Sequence, residues 1–315
     1  MRFTIAIPVF KARFFEECLE SILNQSYQGF EVVLLNDASP DDFDTILSRY
    51  SDKRIRYYKN ETNTGIVNII DNWNKLLNFA RGEFIILMGD DDKLQPECLS
   101  TFASLIERYP QVDVFHARVQ LIDEASRPFG ISTQRLERES PCTFILNRLN
   151  KAEQYIGDFC IRREKLLSDG GYPKYPFGWC TDDVVSFQSC IPYGVVHTQE
   201  AVFLYRSSRY TISNSAHNEL KVEGVCDEMK WFDNFVATYR PEEEEEKLLL
   251  EQVKRTYPIV LKRKAAKYLA EYLGEVHGNI IKFHRLGKRL HLSKYTRFFA
   301  LEVYFNKFVN QHFVK

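Results

Sequence analysis

The first 110 positions repeat one rhythm, in which short apolar blocks alternate with stretches of helical period. Phe3 to Ile7 reads as a strand, and Phe14, Cys18 and Ile22 with Phe15, Leu19 and Leu23 form one apolar helix face. Phe30 to Leu35 predicts a second strand, residues 41–50 a helix opened by Ser39-Pro40-Asp41-Asp42, and residues 55–58 a third strand. Residues 66–79 are helical in period, and the apolar run Phe84 to Met88 is a fourth strand that ends in Gly89, Asp90, Asp91 and Asp92. Such alternation predicts an α/β fold with a mostly parallel central sheet and helices on both faces.

The second half is less regular. A helix after Pro96 runs to Tyr109, a strand pattern centres on residues 112–119, and residues 123–150 read as irregular. Gly170-Gly171-Tyr172-Pro173 and Pro176-Phe177-Gly178-Trp179 mark a loop-rich zone before a helix over residues 182–190. The polar stretch Arg206 to Asn218 has the composition of a mobile loop. Beyond it the pattern is helical, and Glu242 to Glu246 reads as the solvated first turn of a long helix, where carboxylates complement the positive dipole end.

Composition is that of a folded soluble protein: 44% hydrophobic, 27% charged, formal net charge −1. That total conceals a segregation. From Lys254 to Lys315 there are 14 Lys and Arg against 3 Glu, a local +11, which leaves −12 for residues 1–253. Seven cysteines without a CxxC pair predict reduced thiols in the cytosol, with neither a zinc site nor a disulfide framework. Met1-Arg2 leads straight into a strand stopped by Pro8, so the expectation is a cytoplasmic chain without a secretory signal or a spanning helix. The basic tail, with Tyr295, Phe298, Leu301, Phe305, Phe308 and His312 at helical spacing, suits either peripheral contact with anionic lipid or packing on the core. It lacks a nucleic-acid reading motif.

Candidate chemistry gathers at successive strand ends: Pro8, Val9 and Phe10 after the first, Asp37 after the second, Asn63-Thr64-Gly65 after the third, and Asp90 to Asp92 after the fourth. Polar residues recurring at one edge of a sheet describe a single cleft. A nucleotide would suit it, with Asp37 accepting from a base and the aspartates serving ribose hydroxyls and a metal on phosphate. An aspartyl phosphotransferase would want a small or hydroxyl residue two positions beyond Asp92, where Leu94 stands, and a sugar pyrophosphorylase would want glycines between Pro8 and Glu16, where there are none.

The motifs Ile5-Ala-Ile-Pro-Val-Phe10, Glu20 to Ser26, Glu31 to Ser39, Asn63-Thr-Gly65, and Ala80 to Ile85 leading into Asp91-Asp92 and Pro96 resemble the family 2 glycosyltransferases of the GT-A fold, over about residues 1–215. The resemblance implies inverting transfer from a nucleotide sugar, commonly a UDP-sugar, with Mn²⁺ or Mg²⁺. It implies further that Pro8 to Phe10 and Asp37 line the base, that Asn63 lies beside them, that Asp91 lies near the ribose and shares the metal with Asp92, and that Asp90 occupies a variable position. Gly89 stands where many members have Asp, and the frequent Ala-Arg-Asn segment is replaced by residues 69–74. Asp182 and Asp183 resemble the catalytic pair, with Asp183 as general base; Gly178 and Trp179 would form an acceptor platform, and Arg206 and Arg209 would close over the diphosphate. The expected organisation is a transferase domain over residues 1–218, divided at 110 into nucleotide and acceptor halves, and a basic helical region over 219–315. The acceptor expected is a glycan or lipid-linked glycan in bacterial surface polysaccharide assembly. A non-catalytic carbohydrate-binding protein on the same fold is the alternative.

Overall fold

The computed structural model describes residues 1–209 and 216–313, with side chains to residue 307. The chain divides into two compact units, residues 1–174 with 182–211, and residues 175–181 with 212–315.

The first unit is built on one sheet. Its first half runs β1 (Phe3–Val9), α1 (Phe15–Leu23), β2 (Phe30–Asn36), α2 (Phe43–Leu47), β3 (Ile55–Lys59), α3 (Ile69–Phe79) and β4 (Phe84–Leu87). Next come β5 (Lys93–Leu94), α4 (Cys98–Arg108), β6 (Val114–Ile122), β7 (Pro128–Ile131), β8 (Arg138–Glu139), α5 (Pro141–Leu149) and β9 (Phe159–Arg162). The unit closes with α6 (Arg163–Ser168), α7 (Thr181–Ser189), whose first residue counts with the second unit, and β10 (Val195–Arg206).

The strand order is β3-β2-β1-β4-β9-β6-β10-β5, with β7 beside β6 and β8 beside β10. Strands β1 to β4 pair in parallel, as βαβ connections require. Strand β9 runs against both β4 and β6, so β6 and the parallel β10 again point the way of β1, and β5 opposes β10. The sheet is thus mixed, with one prevailing direction. Its inner strands are apolar on both faces, as a sheet covered on both sides demands: every residue of β2 and β4 is buried.

Residues 123–150 are more ordered than their composition suggests. Ser140 caps α5 by accepting from the Thr143 amide, and Pro141 stands in the first turn, where its missing N–H costs nothing; Ser-Pro is a helix start that reads like a turn. The pattern predicts no strand at 159–162 or 195–206, and both are strands. Of the stretch 206–218, residues 210–215 lie outside the described residues.

The second unit is helical: α8 (Asn218–Thr238), α9 (Glu244–Glu275), α10 (Ile280–Arg289) and α11 (Lys294–Phe313). Glu244, Glu245 and Glu246 occupy the first turn of α9, as their charge favours.

Candidate active site

Because β1 to β4 are parallel, the segments that follow them emerge at one edge, and each carries polar groups. The Asp37 amide donates to the Val9 carbonyl at 3.2 Å, which joins the ends of β1 and β2. The Asp37 carboxylate then gathers the end of β3: Oδ1 accepts from Asn60 Nδ2 at 2.7 Å and the Thr64 amide at 3.0 Å, and Oδ2 from Thr64 Oγ1 at 2.8 Å. Asn63 donates to the Asp37 carbonyl at 2.9 Å. Asn72 of α3 locks this group from below, accepting from Asn60 and donating to Thr64 Oγ1. Pro8 is half-buried, Val9 buried and Phe10 exposed, so the turn presents one aromatic ring to solvent.

The three aspartates are not equivalent. Asp90 turns back toward β1, and its Oδ2 accepts the amides of Phe10 at 2.9 Å and Lys11 at 3.0 Å. Burial pushes its carboxyl up to about 6 against the pull of those two amides. Asp91 and Asp92 instead converge over Gly89. A methyl group at residue 89 would meet Asp91 Oδ1 at 2.9 Å and Asp92 Oδ2 at 3.2 Å, so the absence of a side chain there leaves a cradle between two carboxylates. Burial raises the Asp92 carboxyl well above the ordinary range and the Asp91 charge raises it further; burial also raises Asp91. Two converging carboxylates fit a hard divalent cation, and Asp91 and Asp92 are the pair that would hold one.

Arg206 holds this pair from below. It ends β10, is wholly buried, and its amide donates to Asp92 Oδ1 at 3.0 Å. Its Nε donates to the Asp91 carbonyl at 2.7 Å, Nη1 to the Asp123 carbonyl and Ser126 Oγ at 3.1 Å, and Nη2 to Glu17 Oε2 at 3.1 Å, with the guanidinium over the Phe14 ring. The expectation of a loop arginine closing over diphosphate therefore needs correction: the side chain is a fixed strut, because five protein partners already claim it. Arg209 is exposed and pairs with Glu124.

Asp182 and Asp183 open α7. Asp182 is half-buried, whereas Asp183 is buried and its Oδ1 accepts from Arg148 Nε at 2.6 Å and Gln154 Nε2 at 2.9 Å. Gln154 begins the segment that leads to Gly157, where an added methyl would meet the Phe203 ring at 2.6 Å and Asp92 Oδ2 at 3.5 Å. The turn 154–158 thus runs from Asp183 to Asp92. Gly178 and Trp179 belong to the helical unit. There the Trp179 face is covered by Lys221 Nζ, 4.7 Å from the ring centre, and its ring meets Tyr268 edge-on.

Sequence reasoning missed the residues that support this site. Asp158, at the end of the 154–158 turn, lies 3.2 Å from His116 Nε2; His116 and His197, paired across β6 and β10, share a 3.0 Å contact between Nδ1 atoms; and His197 faces Glu139, which Arg135 also holds. All are buried. A histidine at the third position of two apolar strands, Val114-Phe-His116 and Val195-Val-His197, was the only signal available.

The family described as glycosyl transferase family 2 matches residues 4–170. A putative glycosyltransferase of Bacillus subtilis, EpsE, is 30% identical over 123 residues, which cover 38% of this chain and 42% of that protein. The GalNAc(5)-diNAcBac-PP-undecaprenol beta-1,3-glucosyltransferase of Campylobacter jejuni is 31% identical over 103 residues, 32% of this chain and 33% of that protein. The chain thus spans less than half the length of these curated relatives. Among solved structures, S. aureus TarS 1–349 in complex with UDP-GlcNAc superposes with a TM-score of 0.68 at 17% identity, over 96% of this chain and 89% of that one. The mannosyltransferase PcManGT of Pyrobaculum calidifontis, in complex with GDP-Man and Mn²⁺, gives 0.56 at 17% identity, over 100% and 88%. These two likenesses establish the fold.

Proposed function

The chain belongs to glycosyl transferase family 2, and from that membership we propose that it moves a sugar, with inversion, from a nucleoside-diphosphate sugar to a hydroxyl of a glycan or lipid-linked acceptor. The observation that carries this reading is the convergence of Asp91 and Asp92 over Gly89, on the same sheet edge as Asp37. Asp37 offers a carboxylate to a nucleobase beside the Pro8 to Phe10 turn, and Asp91 lies toward the ribose and diphosphate. A divalent ion, Mn²⁺ or Mg²⁺, held by Asp91 and Asp92 would neutralise the negative charge of the departing diphosphate.

Asp183, with Asp182 beside it, is the base of this reading. The acceptor O–H gives its proton to the Asp183 carboxylate, the oxygen forms a bond to the anomeric carbon, and the bond from that carbon to the diphosphate oxygen breaks with its electron pair. Arg148 and Gln154 fix one carboxylate oxygen. A UDP-sugar is the proposed donor, in keeping with the UDP-GlcNAc of the TarS complex, and the undecaprenol-linked substrate named for the Campylobacter relative favours surface polysaccharide assembly at the inner face of the cell membrane. No helix among the described residues is long and apolar enough to cross a membrane.

The test is direct. Asp183→Asn should abolish transfer from the nucleotide sugar while leaving metal-dependent donor binding within about twofold of wild type, since the donor site is intact. Near-normal turnover would remove Asp183 from the role of base, and failure of any nucleotide sugar to raise the melting temperature with or without Mn²⁺ would remove the donor class.

A further inference from the structure

The last two helices present a surface that the transfer reaction does not use. On α11, Tyr295, Phe298, Phe299 and Phe305 fall on one stripe of the helix and are 87%, 70%, 40% and 52% exposed, while Thr296 and Ala300 on the opposite side are buried. A packed helix ordinarily turns its aromatic stripe inward, and this one is reversed. On α10, Phe283 and Leu286 are buried, and Ile281 is 73% exposed beside Lys282. The two helices touch where Gly287 of α10 lies against the Arg297 side chain of α11.

The charge around this surface is one-sided. Between residues 276 and 307 the sequence has seven Lys and Arg against Glu302 alone. Arg289 is committed to Glu219 and Glu223, whereas Lys282, Arg285, Lys288 and Lys294 are exposed and form no ion pair among the described residues. The side chains of Phe308 and His312 lie outside the described residues.

We infer that α10 and α11 form a membrane-docking face that seats Tyr295, Phe298 and Ile281 in the headgroup boundary of an anionic bilayer. Exposed aromatic rings on a segment with a surplus of cations, Glu302 being the one acidic residue among them, match the two demands of that interface, apolar burial and attraction to acidic headgroups. A second copy of the chain is the poorer occupant, because pairing the face with itself would set lysines against lysines. The inference goes beyond sugar transfer and stands without it.

Flotation of the full chain with phosphatidylglycerol-containing or pure phosphatidylcholine vesicles tests it. At low salt the protein should float with the anionic vesicles and stay behind with the neutral ones, and high salt should release it. Lys282→Ala with Lys294→Ala should weaken binding about 30-fold, at about 1 kcal/mol per cation. Tyr295→Ser with Phe298→Ser should weaken it at least about tenfold. All four side chains are exposed, so melting temperatures should not move. Asp92→Asn should float like wild type, which separates docking from donor chemistry. Equal flotation of the aromatic variant, no flotation on anionic vesicles, or a sedimenting dimer that Phe298→Ser dissolves without any vesicle binding would each overturn the inference.

Discussion

The backbone amide of Arg206 donates to Asp92 Oδ1 at 3.0 Å, across 114 residues of sequence, while its guanidinium holds the Asp91 carbonyl. One residue at the end of β10 therefore fixes both members of the aspartate pair. Arg206→Met would leave Glu17 and three carbonyl or hydroxyl acceptors without their shared donor. We expect a loss of about 1–3 kcal/mol in urea unfolding, the cost of leaving buried acceptors without a donor. A loss below about 1 kcal/mol would show that the strut is dispensable.

Gly89→Ala places a methyl group between the Asp91 and Asp92 carboxylates. Metal-dependent donor binding by calorimetry should weaken at least about tenfold, or about 1.4 kcal/mol, with metal-independent binding of the nucleoside little changed. Unaltered Mn²⁺ titration would mean that the cradle is not the cation site.

Arg148→Met removes the partner that donates to Asp183 at 2.6 Å. Turnover should fall by about 10²-fold while the donor KM stays put, because the base loses its orientation and the donor site does not. A matching rise in donor KM would instead place Arg148 on the nucleotide.

Burial of His197 makes stability depend on pH. Burial lowers the His197 imidazole to about 3, the Glu139 hydrogen bond pulling the other way. The unfolded chain takes up this proton below about pH 6.5 and the folded chain does not, so the stabilisation is present above that pH and is lost progressively as pH falls toward 3. Urea midpoints measured from pH 7 to pH 4 should fall less steeply in His197→Gln than in wild type. Parallel curves would contradict this assignment.

Much of the first unit is legible because local rules and the final structure agree. The strands β1, β2 and β4 are largely apolar on both faces, the intervening helices carry one apolar face each, and polar residues follow the strand ends. The same logic loses hold after residue 110. Strands β9 and β10 are paired by partners far along the chain, and a Ser-Pro helix start imitates a turn. The site divides likewise. Asp37 and the aspartate cluster stand out in the sequence, whereas Asn60, Gln154 and Arg148 are ordinary polar residues until the fold brings them to a carboxylate.

The sequence by itself determined the α/β class, the sheet edge that gathers Asp37 and Asp90 to Asp92, and the family, because periodicity and motif order are local properties of the chain. Only the tertiary structure decided how three neighbouring aspartates differ. Asp90 is spent on the Phe10 and Lys11 amides, while Asp91 and Asp92 converge over a residue without a side chain. It also turned Arg206 from a loop cation into a buried strut, since a guanidinium acts according to the acceptors around it, and those acceptors come from three distant segments.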